Sequence, residues 1–299
     1  MGHIITDLKE AFRRGNVYIQ LIFINVGVFV ITTLIGILLQ LFNRSAAGIF
    51  ELLALPASFT RFAWQPWSIF TYMFMHAGFL HILFNMLWLY WFGALFLYFF
   101  SGKHLRGLYI VGGICGGLLY MISYNVFPYF RPMTAYSTMV GASASVLAIV
   151  VATAYPEPNY PVRLLFFGNV RLKYLALIVV LTDLLFITSS NAGGHIAHLG
   201  GALAGLWFAA SLNKGKDITS WVNKALDAIA ALFSAKTWKR KPKMKVHYGN
   251  NTRQNDYDYN ARKKAQSDEI DRILDKLKKS GYESLTTEEK KSLFDASKR

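Results

Sequence analysis

The first 210 residues contain only 11 Lys+Arg and 5 Asp+Glu, whereas residues 211–299 hold 21 of the 32 Lys+Arg and 12 of the 17 Asp+Glu. With 54% hydrophobic residues overall, so long a charge-poor stretch excludes both a disordered chain and an ordinary soluble fold. The pattern predicts a membrane body followed by a basic, water-soluble tail. The single cysteine, Cys115, lies in an apolar run and cannot form an intrachain disulfide, so cysteine usage implies no oxidising compartment.

A helix that spans a bilayer needs about 20 predominantly apolar residues. Six apolar stretches approach that length: Tyr18–Phe42, Phe79–Phe100, Leu105–Phe127, Met139–Tyr155, Leu172–Ile187 and Gly194–Ala210. The first is too long for a signal-peptide core and has no small-residue cleavage site behind it, so it reads as a retained helix. Residues 43–67 read as a loop. Turn or charge clusters such as Ser101-Gly102-Lys103, Pro128 to Pro132 and Pro156-Glu157-Pro158 separate the others. One side collects Lys9, Arg13, Arg14, Lys103, Arg106, Arg163, Arg171 and Lys173, and the other only Arg44, Arg61 and Arg131. This bias places both termini in the cytoplasm. Two of the spans look short and begin with small or polar residues rather than an apolar anchor, as expected beside a water-filled cavity reached from the outer face.

Polar side chains inside apolar spans are costly and read as functional by default. Here they are His81, Asn85, Ser143, Ser145, Asp183, His195 and His198. Ser143 stands 12 residues before Tyr155, and His198 stands 12 before Ala210. At about 1.5 Å per residue both sit roughly 18 Å above the inner edge of a core about 30 Å thick. They share a level. His198, Gly201, Ala202 and Gly205 fall on one helix face whose small residues permit close packing, and Gly141, Ala142, Ala144 and Ala148 offer a matching surface. A neutral imidazole within hydrogen-bond reach can take the serine proton during attack on a carbonyl, so Ser143 with His198 forms a candidate nucleophile and base. His81 and Asn85, one turn apart, and the Ser143 amide at a helix start are candidate donors to an oxyanion. Asp183 reads as a hydrogen-bonding residue at a helix interface, and His76 as loop-facing or structural.

In this order the motifs resemble the rhomboid family of intramembrane serine proteases over roughly residues 15–211: His81-x-x-x-Asn85, Gly141-Ala142-Ser143, and Ala197-His198-x-x-Gly201-x-x-x-Gly205. The resemblance implies an all-α, six-transmembrane-helix bundle. It also implies a Ser143–His198 dyad without an acid, an oxyanion hole of His81, Asn85 and the Ser143 amide, no metal or organic cofactor, and cleavage of transmembrane proteins in the cell (inner) membrane. The sequence departs from the family pattern where Gly-x-Ser-Gly reads Gly-Ala-Ser-Ala. This puts Ala144 after the serine and makes Ser145 a rival nucleophile. The family's Trp-Arg of the first loop is replaced by Trp64-Gln-Pro-Trp-Ser68, and Leu147 stands where some members carry an aromatic.

The domain reading follows: a cytoplasmic N-terminus (1–17), the membrane protease domain (18–211), an interfacial segment (212–248), a polar, disordered linker (249–266) and a small cytoplasmic helical tail (267–299). In the interfacial segment Trp221, Ala225, Ile229, Leu232 and Phe233 recur at near-helical spacing. The following Lys236, Lys239, Arg240, Lys241, Lys243 and Lys245 suit anionic lipid headgroups. Membrane tethering accounts for this charge without nucleic acid. The tail places Ile270, Ile273, Leu274 and Leu277 on one helix, and Thr286-Thr-Glu-Glu289 fits a capping box before a last helix ending near Ser297. Its end is similar to tails of rhomboid-like proteins of Bacteroidetes-type bacteria. Two rival readings remain: an inactive rhomboid-like protein that binds client helices without cleavage, and a metal site drawn from His76, His81, His195 and His198.

Overall fold

A computed structural model describes residues 15–164, 168–232 and 252–297, with Thr6, Glu10 and Phe12 besides. The chain divides into two compact units, Met1–Thr237 and Trp238–Arg299. The first contains α1 (Val17–Leu41), α2 (Ala47–Leu53), β1 (Leu55–Pro56), α3 (Phe59–Trp64), α4 (Ser68–Thr71), α5 (Phe79–Phe99), α6 (Gly102–Val126), β2 (Thr138–Met139), α7 (Ser143–Ala154), β3 (Pro161–Leu164), β4 (Gly168–Arg171), α8 (Leu172–Leu185), α9 (Ala192–Asn213) and α10 (Ser220–Leu232). Four of these helices, α1, α5, α6 and α9, are long and apolar enough to cross a membrane. In α7 and α8 the helix runs for 12 and 14 residues. Among the described residues the strands form two antiparallel pairs, β1 with β2 and β3 with β4.

The helix boundaries depart from the apolar stretches in two informative places. α7 starts at Ser143 rather than Met139, because Thr138–Met139 pair with Leu55–Pro56 and the Gly141 N–H is donated to the Tyr72 carbonyl at 2.9 Å. α9 has 22 residues, longer than Gly194–Ala210, since no Gly or Pro stands between Gly205 and Gly215 and the backbone continues through polar Ser211–Asn213. The stretch 43–67 is not a plain loop. It carries α2 and α3, which are tied together: Gln65 Nε2 donates to the carbonyls of Glu51 and Ala54, Trp67 Nε1 to Leu52, and Thr71 Oγ1 to Leu53. Arg61 reaches Glu51 at 3.4 Å and the Ala135 carbonyl at 3.5 Å, so a basic residue orders this segment even though the Trp-Arg pair is absent.

Small residues let α6, α7 and α9 meet backbone to backbone. A Cβ added at Gly201 would collide with the Ala144 carbonyl oxygen, and one at Gly205 with that of Ala148. A Cβ at Gly112 would lie 2.5 Å from the Ala148 Cβ, and one at Gly116 2.6 Å from that of Ala144. Membrane helices gain no hydrophobic drive from meeting each other, so this close packing supplies the attraction. The α1 helix is fastened by polar groups instead: the Tyr109 hydroxyl donates to the Met73 carbonyl at 2.8 Å and accepts from Asn25 Nδ2 at 3.0 Å. Tyr109→Phe leaves both partners short of a bond and is expected to cost about 1–3 kcal/mol, read as a lower unfolding midpoint of the solubilised protein.

In α10, Val222 and Asn223 are buried while Trp221, Ala225, Ile229 and Leu232 are exposed, so the expected apolar stripe faces away from the bundle. Arg106 holds the helix by donating to Asn223 Oδ1 and Asp227 Oδ1, both at 2.9 Å from Nη2. Phe233 and the basic run Lys236–Lys245 lie outside the described residues.

The second unit is a helical hairpin of α11 (Thr252–Ser280) and α12 (Thr287–Ser297). Its first helix begins well before Ser267, inside the segment expected to be a disordered linker. No Gly or Pro interrupts residues 252–280, and Ala, Arg, Lys and Gln favour the helix there. The capping box forms: the Thr286 N–H donates to Glu289 Oε2 at 2.8 Å and the Glu289 N–H to Thr286 Oγ1 at 3.3 Å. That backbone bond, joined by Lys276 at 2.9 Å, holds the Glu289 carboxyl below the usual carboxylate range.

Candidate active site

Ser143 is the first residue of α7 and is partly exposed, in a turn of chain that Gly141 makes possible. Gly141 has φ +137°, a conformation that side chains strain, and a Cβ there would fall 2.9 Å from His81 Nε2 and 3.6 Å from Ser143 Oγ. The Nε2 edge of His81 therefore lies against Gly141, beside the serine hydroxyl. The Ala77 N–H donates to His81 Nδ1 at 3.4 Å, so the neutral ring carries its proton on Nε2 and offers a donor toward that spot. Asn85, one turn along α5 and buried, donates one amide hydrogen to the His81 carbonyl at 2.8 Å and has a second to give.

Ser145, the rival nucleophile, is wholly buried and points elsewhere. A Cβ at Gly113 of α6 would lie 2.8 Å from its Oγ, which places that hydroxyl in the α6–α7 interface. Leu147 is buried in the same helix. His76 is buried too, with its ring edge-on to His81 at 5.1 Å, in keeping with the structural alternative.

His198 stands one turn before Gly201 on α9. Since Gly201 lies on Ala144 and Gly205 on Ala148, α7 and α9 run parallel in register at this contact, and His198 comes level with the beginning of α7. Among the described residues no hydrogen bond joins Ser143 Oγ to His198. The His198 Nδ1 atom is occupied elsewhere, 2.8 Å from Asp183 Oδ1, and His195 Nδ1 lies 2.8 Å from the same oxygen. The carboxylate is 4% exposed, and Oδ2 has no partner among the described residues.

Asp183 is thus a helix-interface hydrogen-bonding residue, as its position in an apolar span suggests, but its partners include the candidate base. A signal for this was present in the sequence. Asp183 stands two residues before the end of α8 and His195 three after the start of α9, so a short connection folds them to one level. The donor atoms of Asp183, His195 and His198 all lie within 4.8 Å of one another, and among the described residues this is the group that could hold a metal ion. It shares His195 and His198 with the four-histidine set considered from sequence, but a carboxylate on α8 takes the place of His76 and His81.

The rhomboid domain pattern matches residues 63–214, half of the chain, and covers α5 to α9 with every residue of this cluster. The chain belongs to the rhomboid family. A relative from Arabidopsis thaliana, "RHOMBOID-like protein 12, mitochondrial", is 29% identical over 158 residues, 50% of this chain and 47% of that protein. The chain therefore spans about half the length of the curated relative it matches. With several apolar helices and a rhomboid domain, it is a multi-pass membrane protein. Residues 254–299, which form the helical hairpin, match a family of unknown function (DUF6576).

Proposed function

We propose that this rhomboid is an intramembrane serine endopeptidase that cleaves transmembrane proteins. The supporting observation is the placement of Ser143 at the start of α7 beside the Nε2 edge of His81, with His198 brought level by the Gly201–Ala144 contact. Ser143 Oγ attacks the scissile carbonyl while His198 Nε2 takes its proton, then returns it to the leaving amine. The tetrahedral oxyanion accepts from His81 Nε2, the free hydrogen of Asn85 Nδ2, and the Ser143 N–H, which as the first residue of a helix has no intrahelical partner. Water entering from the outer face hydrolyses the acyl-enzyme. A Ser143–His198 bond absent from the resting protein is ordinary, since catalytic hydrogen bonds often tighten only when substrate is bound.

In this reading the helices α1 and α5–α9 form the six-span bundle, with α7 and α8 completed by irregular chain that protein or water surrounds. Both termini lie in the cytoplasm of a cell whose inner membrane carries the enzyme. The exposed stripe of α10 rests at the membrane interface, and the charge of the basic run Lys236–Lys245 suits anionic lipid headgroups. Substrates are helices that unwind readily, because a peptide bond held within a helix is closed to attack.

The test is labelling of the detergent-solubilised protein with a fluorophosphonate probe. The expected result is labelling in wild type and Ser145→Ala, and none in Ser143→Ala or His198→Ala. Folded wild type that takes no label overturns the protease in favour of a rhomboid that binds client helices without cutting, and loss confined to Ser145→Ala assigns the wrong serine.

A further inference from the structure

Taking Ser143 and His198 as nucleophile and base, we infer that Asp183 is a positioning residue that makes the dyad a triad, by accepting the His198 Nδ1 hydrogen and so leaving the Nε2 lone pair to face Ser143. Three observations carry it. The contact is short, 2.8 Å between Nδ1 and Oδ1. Its carboxylate is 4% exposed, where a bond of an ionised acceptor is strong and a loose side chain is not tolerated. Asp183 also lies on α8 while His198 lies on α9, so the bond fixes the imidazole from a second helix rather than from its own.

The tautomer follows from elementary valence. A carboxylate only accepts, so a neutral imidazole facing it through Nδ1 must carry its hydrogen there. Nε2 is then bare and able to take a proton. Formation of the imidazolium during attack leaves a positive ring next to a negative carboxylate, which stabilises the charge where it develops. No proton passes to Asp183: Oγ loses its hydrogen to Nε2, the Oγ–C bond forms, and the electron pair moves to the carbonyl oxygen. His195, donating from its own Nδ1 to the same Oδ1, holds the carboxylate from the other side and offsets the cost of burying it.

The probe for the test is again the fluorophosphonate, now with its saturation kinetics resolved, so that binding and the reactive step are read apart. Asp183→Asn keeps the shape but can offer an amide hydrogen to Nδ1, which favours the wrong tautomer. The expected result is a maximal labelling rate lowered on the order of 10²-fold or more, half-saturation within about threefold of wild type, and partial recovery in Asp183→Glu. Ring-nitrogen NMR of 15N-histidine-labelled wild type, with His198 assigned by its loss in His198→Gln, needs no Asp183 variant. It is expected to show His198 protonated at Nδ1 and bare at Nε2.

Wild-type labelling kinetics in a folded Asp183→Asn protein, or the opposite tautomer at His198, overturns the positioning role while Ser143→Ala and His198→Ala remain dead. Activity surviving in either of those two variants removes the dyad itself and this inference with it. Labelling that a chelator abolishes and zinc restores would make Asp183, His195 and His198 a metal site and would also overturn it.

Discussion

Replacing Gly201 with alanine is expected to destabilise the protein by on the order of 3–5 kcal/mol, at the upper end of single-substitution effects. A Cβ at this position would collide with the carbonyl oxygen of Ala144, and backbone cannot step aside as the tip of a flexible side chain can. Relief requires α9 to move off α7, which also breaks the neighbouring Gly205–Ala148 contact and the small-residue packing on α6. The same motion carries His198 away from the start of α7. Unfolding of the solubilised protein, followed as a denaturant midpoint, should fall sharply, and probe labelling should fall with it. Leu203→Ala on the same helix, where the side chain is 62% exposed, is the matching control and should change stability by less than about 1 kcal/mol.

Gly141→Ala is expected to act on chemistry more than on fold. The residue sits at φ +137°, so a side chain adds strain of about 1–3 kcal/mol, and its methyl would meet the His81 ring at 2.9 Å. Turning His81 removes the Nε2 donor from beside Ser143 and shifts the serine at the end of the same turn. Loss of one oxyanion donor is worth about 10²–10³ in rate, so the maximal labelling rate should drop by at least that factor while the solubilised protein remains folded and helical. A Gly141→Ala protein that labels like wild type would place the oxyanion elsewhere and detach His81 from the reaction.

Much of the candidate site could be read from the residues. Counting along their helices puts Ser143 and His198 at one level, and helical periodicity matches the Gly201/Gly205 face to Ala144 and Ala148, the contact the structure contains. The capping box at Thr286–Glu289 was equally legible, being a local rule four residues long. The choice between Ser143 and Ser145 was harder. They differ by two residues, and which hydroxyl turns into the α6 interface depends on where α7 begins, which the β1–β2 pairing and the Gly141 N–H to Tyr72 bond decide. The order in stretch 43–67 is not legible in the sequence because its helices are short and held by side-chain bonds across 11 to 18 residues, as from Gln65 to Ala54 or Thr71 to Leu53.

What the sequence by itself determined is the membrane body, the order of the three motif fragments, the small-residue faces and the helical hairpin of the tail. Each follows from local periodicity and from the cost of placing charge in lipid, terms that depend on a residue and its near neighbours. Only the tertiary structure decided that Asp183 joins both His195 and His198 through one oxygen, that His81 presents Nε2 to Gly141, and that Ser145 is shut away. The reason is geometric. A hydrogen bond between helices needs donor and acceptor within about 3 Å, and that depends on the rotation and crossing of each helix, which the packing of the whole bundle sets.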